Sequence, residues 1–230
     1  MDFSGIEKLS LVDFDQVVAC TLFFGGCNFR CPFCHNGDLV LNPGSLPKHP
    51  FEEILSYLKK RKGILEGVCI TGGEPTLMSD LKDKIKAIKD LGYLVKLDTN
   101  GTNPELLKEL IEEKLIDYVA IDIKNSEEKY NLTAGVTVDF KKVKESIDYL
   151  LTHDFPYEFR TTIVQEFHEE KDFDSIGKLI KGAPKYFLQK FVSKDTCLKQ
   201  GLHSIKKEEA ERFLEIVKPY VGYVSLRGYE

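Results

Sequence analysis

Apolar, β-rich runs recur along the chain at 17–24, 65–71, 93–99, 118–123, 157–164, 186–192 and 220–226. Several carry apolar residues on both faces, as strands do when a parallel sheet is covered by helices on each side. The segments between them change period. Phe51, Ile54, Leu55 and Leu58 fall at i, i+3, i+4 and i+7, and Ala210, Phe213, Leu214 and Val217 repeat that spacing. Both are one-sided stripes of amphipathic helices. Leu81, Ile85 and Ile88 mark another helix, stopped at Gly92. Asn103, with Pro104 at the first helical position, caps a further one, and Asp139 caps a helix carrying Phe140, Val143 and Ile147. Core packing accounts for each of these stripes before any other role does.

The alternation predicts an α/β fold of about six βα units in series with right-handed crossovers, closing or nearly closing into a barrel. A full barrel of eight units takes ~250 residues. At 230 residues the chain suits a partial (β/α)6 barrel better, a flat doubly wound sheet being the alternative. No internal repeat, low-complexity tract or linker marks a boundary, so residues 1–230 are expected to form a single domain. The stretch 42–50, with Pro43, Gly44, Pro47 and Pro50, reads as a surface excursion.

Composition narrows the function classes. A hydrophobic share of 42% and an aromatic share of 11% supply a sizeable core. The net charge of -5 lacks the basic field of a nucleic-acid binder. Asp2 and Glu7 open the chain without a basic segment and apolar run, and no window approaches the roughly 20 apolar residues of a membrane span. A soluble, cytoplasmic protein that engages neither membrane nor nucleic acid is expected.

Of six cysteines, three crowd into the eight positions 27–34, while Cys20 and Cys69 sit in apolar runs and Cys197 in a polar one. The segment Gly25-Gly26-Cys27-Asn28-Phe29-Arg30-Cys31-Pro32-Phe33-Cys34-His35-Asn36 follows the first apolar run directly, at the strand end where α/β barrels place chemistry. Cys31-Pro32-Phe33-Cys34-His35 fits a c-type haem site and Cys31-Pro32-Phe33-Cys34 a dithiol redox pair, but both leave Cys27 without a role. Zinc would need adjacent Cys34 and His35 to reach one tetrahedral ion. Buried structural thiols would place Gly-Gly and Arg30 inside a core. Three thiolates holding three irons of a cubane, with the fourth iron open to a substrate, explain the arrangement better.

The C-x3-C-x2-C spacing, with Phe33 before the last cysteine, resembles the cluster loop of the radical S-adenosylmethionine (SAM) superfamily. A second match follows one βα unit later, where Val68-Cys69-Ile70-Thr71 runs into Gly72-Gly73-Glu74-Pro75. Glycines at that strand end let backbone approach a ligand closely. Upstream, Leu11-Val12-Asp13-Phe14, Val17-Val18-Ala19-Cys20 and Phe23-Phe24-Gly25-Gly26 are similar to the anaerobic ribonucleotide reductase activating proteins, which belong with the glycyl-radical-enzyme activases.

The resemblance implies a partial barrel of the radical SAM type. It also implies a 4Fe-4S cluster on Cys27, Cys31 and Cys34, whose open iron is chelated by SAM. Gly72, Gly73 and Glu74 would contact the SAM amino group and Phe33 would border the adenine. Leu97-Asp98-Thr99-Asn100-Gly101 and Ile121-Asp122-Ile123-Lys124 are similar to two strand-end motifs of the activases. By that likeness Asp98 and Asp122 flank a monovalent cation, with Lys124 near SAM. The alternative is that Asp98 and Asn100 only turn the chain before Asn103. Arg160, pointing inward, would suit the SAM carboxylate, or else be solvated or salt-bridged. Where activases present a polar or His contact on the sixth strand, this chain has Gln189, Phe191 and Ser193.

The activity implied is reductive cleavage of SAM to place a radical on a glycine of a partner enzyme, an anaerobic ribonucleotide reductase. Electrons would come from a flavodoxin- or ferredoxin-type reductant. The alternatives are a radical SAM enzyme acting on a small molecule or peptide, and a non-catalytic iron-sulfur electron carrier. Gly72-Gly73-Glu74-Pro75 counts against the carrier, which needs no site for methionine.

Overall fold

The computed structural model describes residues 1–229. Its strands cross a sheet in the order of the chain, as expected when each short crossover lays a strand beside the last. The chain forms two compact units.

The first unit draws on Met1–Asn28, Asp38–Thr99 and Asn103–Val119. It carries, in order, β1 (Gly5–Ser10), β2 (Ala19–Phe24), most of α1 (Gly37–Leu41), α2 (Phe51–Lys60), β3 (Gly67–Gly72), α3 (Leu81–Asp90), β4 (Leu94–Thr99) and α4 (Pro104–Glu112). β2 and β3 pair in parallel from Ala19 opposite Gly67 to Phe24 opposite Gly72, and β4 continues on β3 from Leu94 opposite Gly67. Val68, Cys69 and Ile70 are buried on both strand faces, so helices must cover them. The predicted stripes do so: Ile54, Leu58, Leu81, Ile85 and Ile88 are all buried. Cys20 is buried too, as its apolar run implied.

β1 was not anticipated. It lies antiparallel on β2 with an irregularity between Glu7 and Ser10, and its Glu7, Lys8 and Leu9 are exposed. A charged edge strand has no apolar run by which to be recognised. At the other end of the unit Asn103 caps α4 as expected, its side chain accepting from Leu106 N at 3.3 Å.

The second unit holds Phe29–Gly37, Asn100–Thr102 and Ala120–Glu230. β5 (Tyr118–Asp122) leads into it, followed by α5 (Tyr130–Ala134), α6 (Phe140–Thr152), β6 (Tyr157–Ile163), α7 (Glu170–Leu179), β7 (Tyr186–Lys190), α8 (Lys207–Val217) and β8 (Val224–Arg227). β6, β7 and β8 are parallel neighbours. From β2 onward, six strands are each followed by a helix before β8 ends the sheet. Three details depart from the sequence pattern. The last strand starts only at Val224, because Pro219 sits in a 3-10 turn at Lys218–Tyr220. Asp139 occupies the N-cap of α6 but makes no capping hydrogen bond with its side chain. α7 went unmarked because its start is so polar; Glu169 and Asp172 form a capping box there, and Phe173 stacks on Phe213 at 4.3 Å. Among the described residues no helix is long and apolar enough to cross a membrane.

Candidate active site

The end of β3 is stitched to the start of the cysteine loop. Gly73 N donates to Phe24 O and Glu74 N to Gly26 O, both at 2.8 Å, while Gly26 N donates to Leu39 O at 2.7 Å. Gly72 has φ +123°, and a β-carbon on it would stand 2.4 Å from Phe24 N. One on Gly73 would stand 1.9 Å from Gly26 O and 3.3 Å from Cys27 Cβ. The two glycines thus admit a close approach of backbone to backbone, Gly72 to Phe24 at the end of β2 and Gly73 to the Gly26 carbonyl that precedes Cys27.

Glu74 is buried, and its Oε1 accepts from Thr76 N (3.1 Å), Thr76 Oγ1 (2.6 Å) and Thr99 Oγ1 (2.7 Å). Its carboxylate therefore caps the turn at Pro75–Leu77 and joins it to the end of β4. Thr99 lies within the motif at 97–101, but no role was expected of it there. Beside it Asp98 Oδ1 lies 3.7 Å from Lys96 Nζ, which is buried and donates to the Asp13 carbonyl at 2.6 Å.

In the second unit, Asn100 Oδ1 accepts from Thr102 N (3.1 Å) and Thr102 Oγ1 (2.7 Å), so Asn100 does turn the chain. Cys34 N donates to Cys31 O at 2.9 Å in a tight turn, and Arg30 N donates to Ala134 O at 2.8 Å. Phe33 is buried against Phe167 (6.1 Å between ring centroids) and Phe191 (6.4 Å). His35 stacks on Phe191 at 5.5 Å. Cys197, from its polar stretch, is nonetheless buried: Lys199 N donates to Pro32 O at 2.8 Å, folding that stretch against the loop. Burial pushes the Cys34 thiol above its ordinary value. A backbone hydrogen bond at Asn36 and the Lys124 charge oppose the rise, and Cys197 and Asp122 add to it. Metal binding there would have to release the thiol proton.

None of the six cysteines, all described, is in a disulfide. Among the described residues no three His, Cys, Asp or Glu side chains gather about one point as a single-ion site. A cubane takes its ligands on separate irons, so its thiolates gather about a larger body than a single ion. Three thiols on one short loop, braced by a Gly-Gly turn, are a donor set that fits such a cluster and its open iron.

Asp122, Lys124 and Arg160 come together as one charged group. Asp122 accepts from Arg160 Nε at 2.9 Å and from Lys124 Nζ at 3.3 Å. Burial alone would raise its pKa, but Arg160 first and Lys124 second bring it down to about 2. Arg160 is therefore salt-bridged, one of the two states expected of it. His168, unmarked in the sequence, holds the backbone beneath: its Nδ1 accepts from Val164 N at 3.1 Å, which leaves Nε2–H to donate to Lys124 O at 3.0 Å. Glu158, also unmarked, is fully buried on the same face of β6, two residues before Arg160. The period of two along that strand was the only signal for it.

Comparison with known proteins gives consistent results. The model of the radical SAM superfamily matches residues 21–180. A Methanocaldococcus jannaschii protein provisionally named glycyl-radical enzyme activating enzyme MJ1227 is 35% identical over 97% of this chain and 95% of its own. The pyruvate formate-lyase-activating enzyme of Clostridium pasteurianum is 32% identical over 62% of each chain. Among solved structures, Streptococcus suis SuiB bound to S-adenosylmethionine aligns with a TM-score of 0.69 at 15% identity, covering 90% of this chain and 52% of that one. At that identity the likeness is one of fold.

Proposed function

This chain belongs to the radical SAM superfamily, and from that premise we propose that it is a glycyl-radical-enzyme activase whose partner is an anaerobic ribonucleotide reductase. Membership implies a 4Fe-4S cluster and SAM. The observation that carries the activase assignment is a likeness over almost the whole chain to a protein named for that activity. The sequence around the cysteines, from Leu11 to Asn36, supports the choice of reductase.

In this reading Cys27, Cys31 and Cys34 hold three irons. Gly72, Gly73 and Glu74 present backbone to the amino end of SAM, and the hydrogen bonds of Glu74 to Thr76 and Thr99 keep that turn in place. Phe33 borders the adenine from its seat among Phe167 and Phe191. Lys124 and Arg160 meet the SAM carboxylate. Asp98 and Asp122 are the carboxylates open to a monovalent cation, although Lys96 already lies by the one and Arg160 and Lys124 by the other. A bound cluster would supply the electron for reductive cleavage of SAM, the chemistry that serves to remove hydrogen from the partner's glycine. The chain's own work is to orient SAM and exclude other hydrogen donors. Residues 1–230 act as one domain in the cytoplasm, where thiols stay reduced, and a flavodoxin- or ferredoxin-type protein serves as reductant.

The test is anaerobic reconstitution with iron and sulfide, then incubation with a reductant, SAM and the anaerobic reductase. The expected result is a glycyl-radical doublet in electron paramagnetic resonance, absent with Cys31→Ala and absent when the partner's glycine is replaced by alanine. Conversion of a small metabolite with stoichiometric SAM cleavage, and no doublet on any glycyl radical enzyme, would replace the activase with the small-molecule alternative. A cluster that is reduced but never cleaves SAM would leave an electron carrier.

A further inference from the structure

We propose that Arg227, by holding the buried carboxylate of Glu158, is a positioning residue for Arg160, so that β8 sets the affinity for SAM; this rests on the proposed contact between Arg160 and the SAM carboxylate. Glu158 is fully buried, and a carboxylate so placed must be paired to stay ionised. Arg227 supplies a fork. Its Nη1 donates to Glu158 Oε1 at 2.9 Å and its Nη2 to Oε2 at 3.2 Å. Arg227 lies opposite Gln189 on β7, and Phe187, one pleat back, lies opposite Arg160 on β6, so the Arg227 side chain runs back along the sheet to reach Glu158. The Arg227 guanidinium sits 3.4 Å from the Phe187 ring centroid, crossing over β7 toward β6.

The consequence falls on Arg160. Its Nη1 is 3.9 Å from Glu158 Oε1, whereas its Nε is 2.9 Å from Asp122 Oδ1. With both Glu158 oxygens taken by the Arg227 fork, Arg160 holds its closer contact to Asp122. Remove Arg227, and a fully buried carboxylate that lies 3.9 Å from the Arg160 guanidinium loses its two-pronged partner. The charge of Glu158 then draws Arg160 off Asp122, and a carboxylate-binding fork is displaced from its ligand.

The test uses anaerobically reconstituted protein, with SAM affinity read by calorimetry and iron content and thermal unfolding read alongside. Arg227→Met is expected to weaken SAM binding about tenfold at unchanged iron content, Arg227→Lys to fall between it and wild type, and Glu158→Gln alone to change affinity less than about threefold. The double variant Glu158→Gln/Arg227→Met should regain affinity to within about threefold of wild type, because no buried charge remains to pull on Arg160. A role in general stability would make the double variant no better than the worse single one, and that result overturns the proposal. So does wild-type affinity in Arg227→Met or, should that variant not fold, in Arg227→Lys. Arg160→Met separates the two levels. If it loses affinity while the Arg227 variants do not, only the positioning role fails; if it binds SAM like wild type, the Arg160 contact fails and the positioning role with it.

Discussion

Gly73 has a carbonyl oxygen 1.9 Å from where a β-carbon would stand, and that oxygen belongs to the residue before Cys27. From sequence, a side chain there would block a ligand and leave the cluster alone. The structure predicts more. Gly73→Val must move Gly26 or the end of β3, so both iron content after anaerobic reconstitution and SAM affinity should drop, with Gly73→Ala already impaired. Wild-type iron content with only SAM affinity lost would show that the loop yields without disturbing Cys27. The cysteines and the Gly-Gly-Glu-Pro run were legible because each is a compact motif. Glu158 was not, since a lone polar residue in a strand looks the same whether it faces water or a buried partner.

At the level of elements, helix starts separate a cap that bonds from one that is merely present. Asn103 accepts from Leu106 N and also donates through Nδ2 to the Thr76 carbonyl at 3.3 Å, tying α4 to the turn after β3. Asn103→Ala should therefore lower the free energy of unfolding by about 1–2 kcal/mol in urea titrations. Asp139→Ala, which removes no capping bond, should cost under about 0.5 kcal/mol. Equal losses would mean that the side-chain hydrogen bonds of Asn103 add nothing to what Asp139 contributes without one. The seven apolar strands and the striped helices were legible because burial imposes a period that local sequence must obey. β1 and α7 were not: the one is an edge strand with charged positions, and the other begins with charges that serve as its cap.

For the molecule as a whole, burial sets the alkaline limit of stability. It pushes the Cys20 thiol, with help from Glu7, from 9.0 to about 12, and the Tyr157 hydroxyl from 10.0 to about 12; Tyr130 and Tyr186 are raised as well. Below the unfolded values these groups are neutral in both states and their contribution is fully present. Above about pH 9 the unfolded chain ionises while the folded one resists, so stability is lost progressively as pH rises toward 12. The urea midpoint should fall between pH 8 and pH 10.5, and fall less in Cys20→Ala; a midpoint that is flat in wild type would contradict the burial of these groups. By itself the sequence determined the class of chemistry and the α/β alternation, because both are written over short stretches: three thiols in one loop, and a burial period repeated within each element. Only the tertiary structure decided what those residues meet. Asp122 and Arg160 are 38 residues apart, and Glu158 and Arg227 are 69 apart. They are joined by strand register, which is chosen by the burial of whole strands and which no local spacing records.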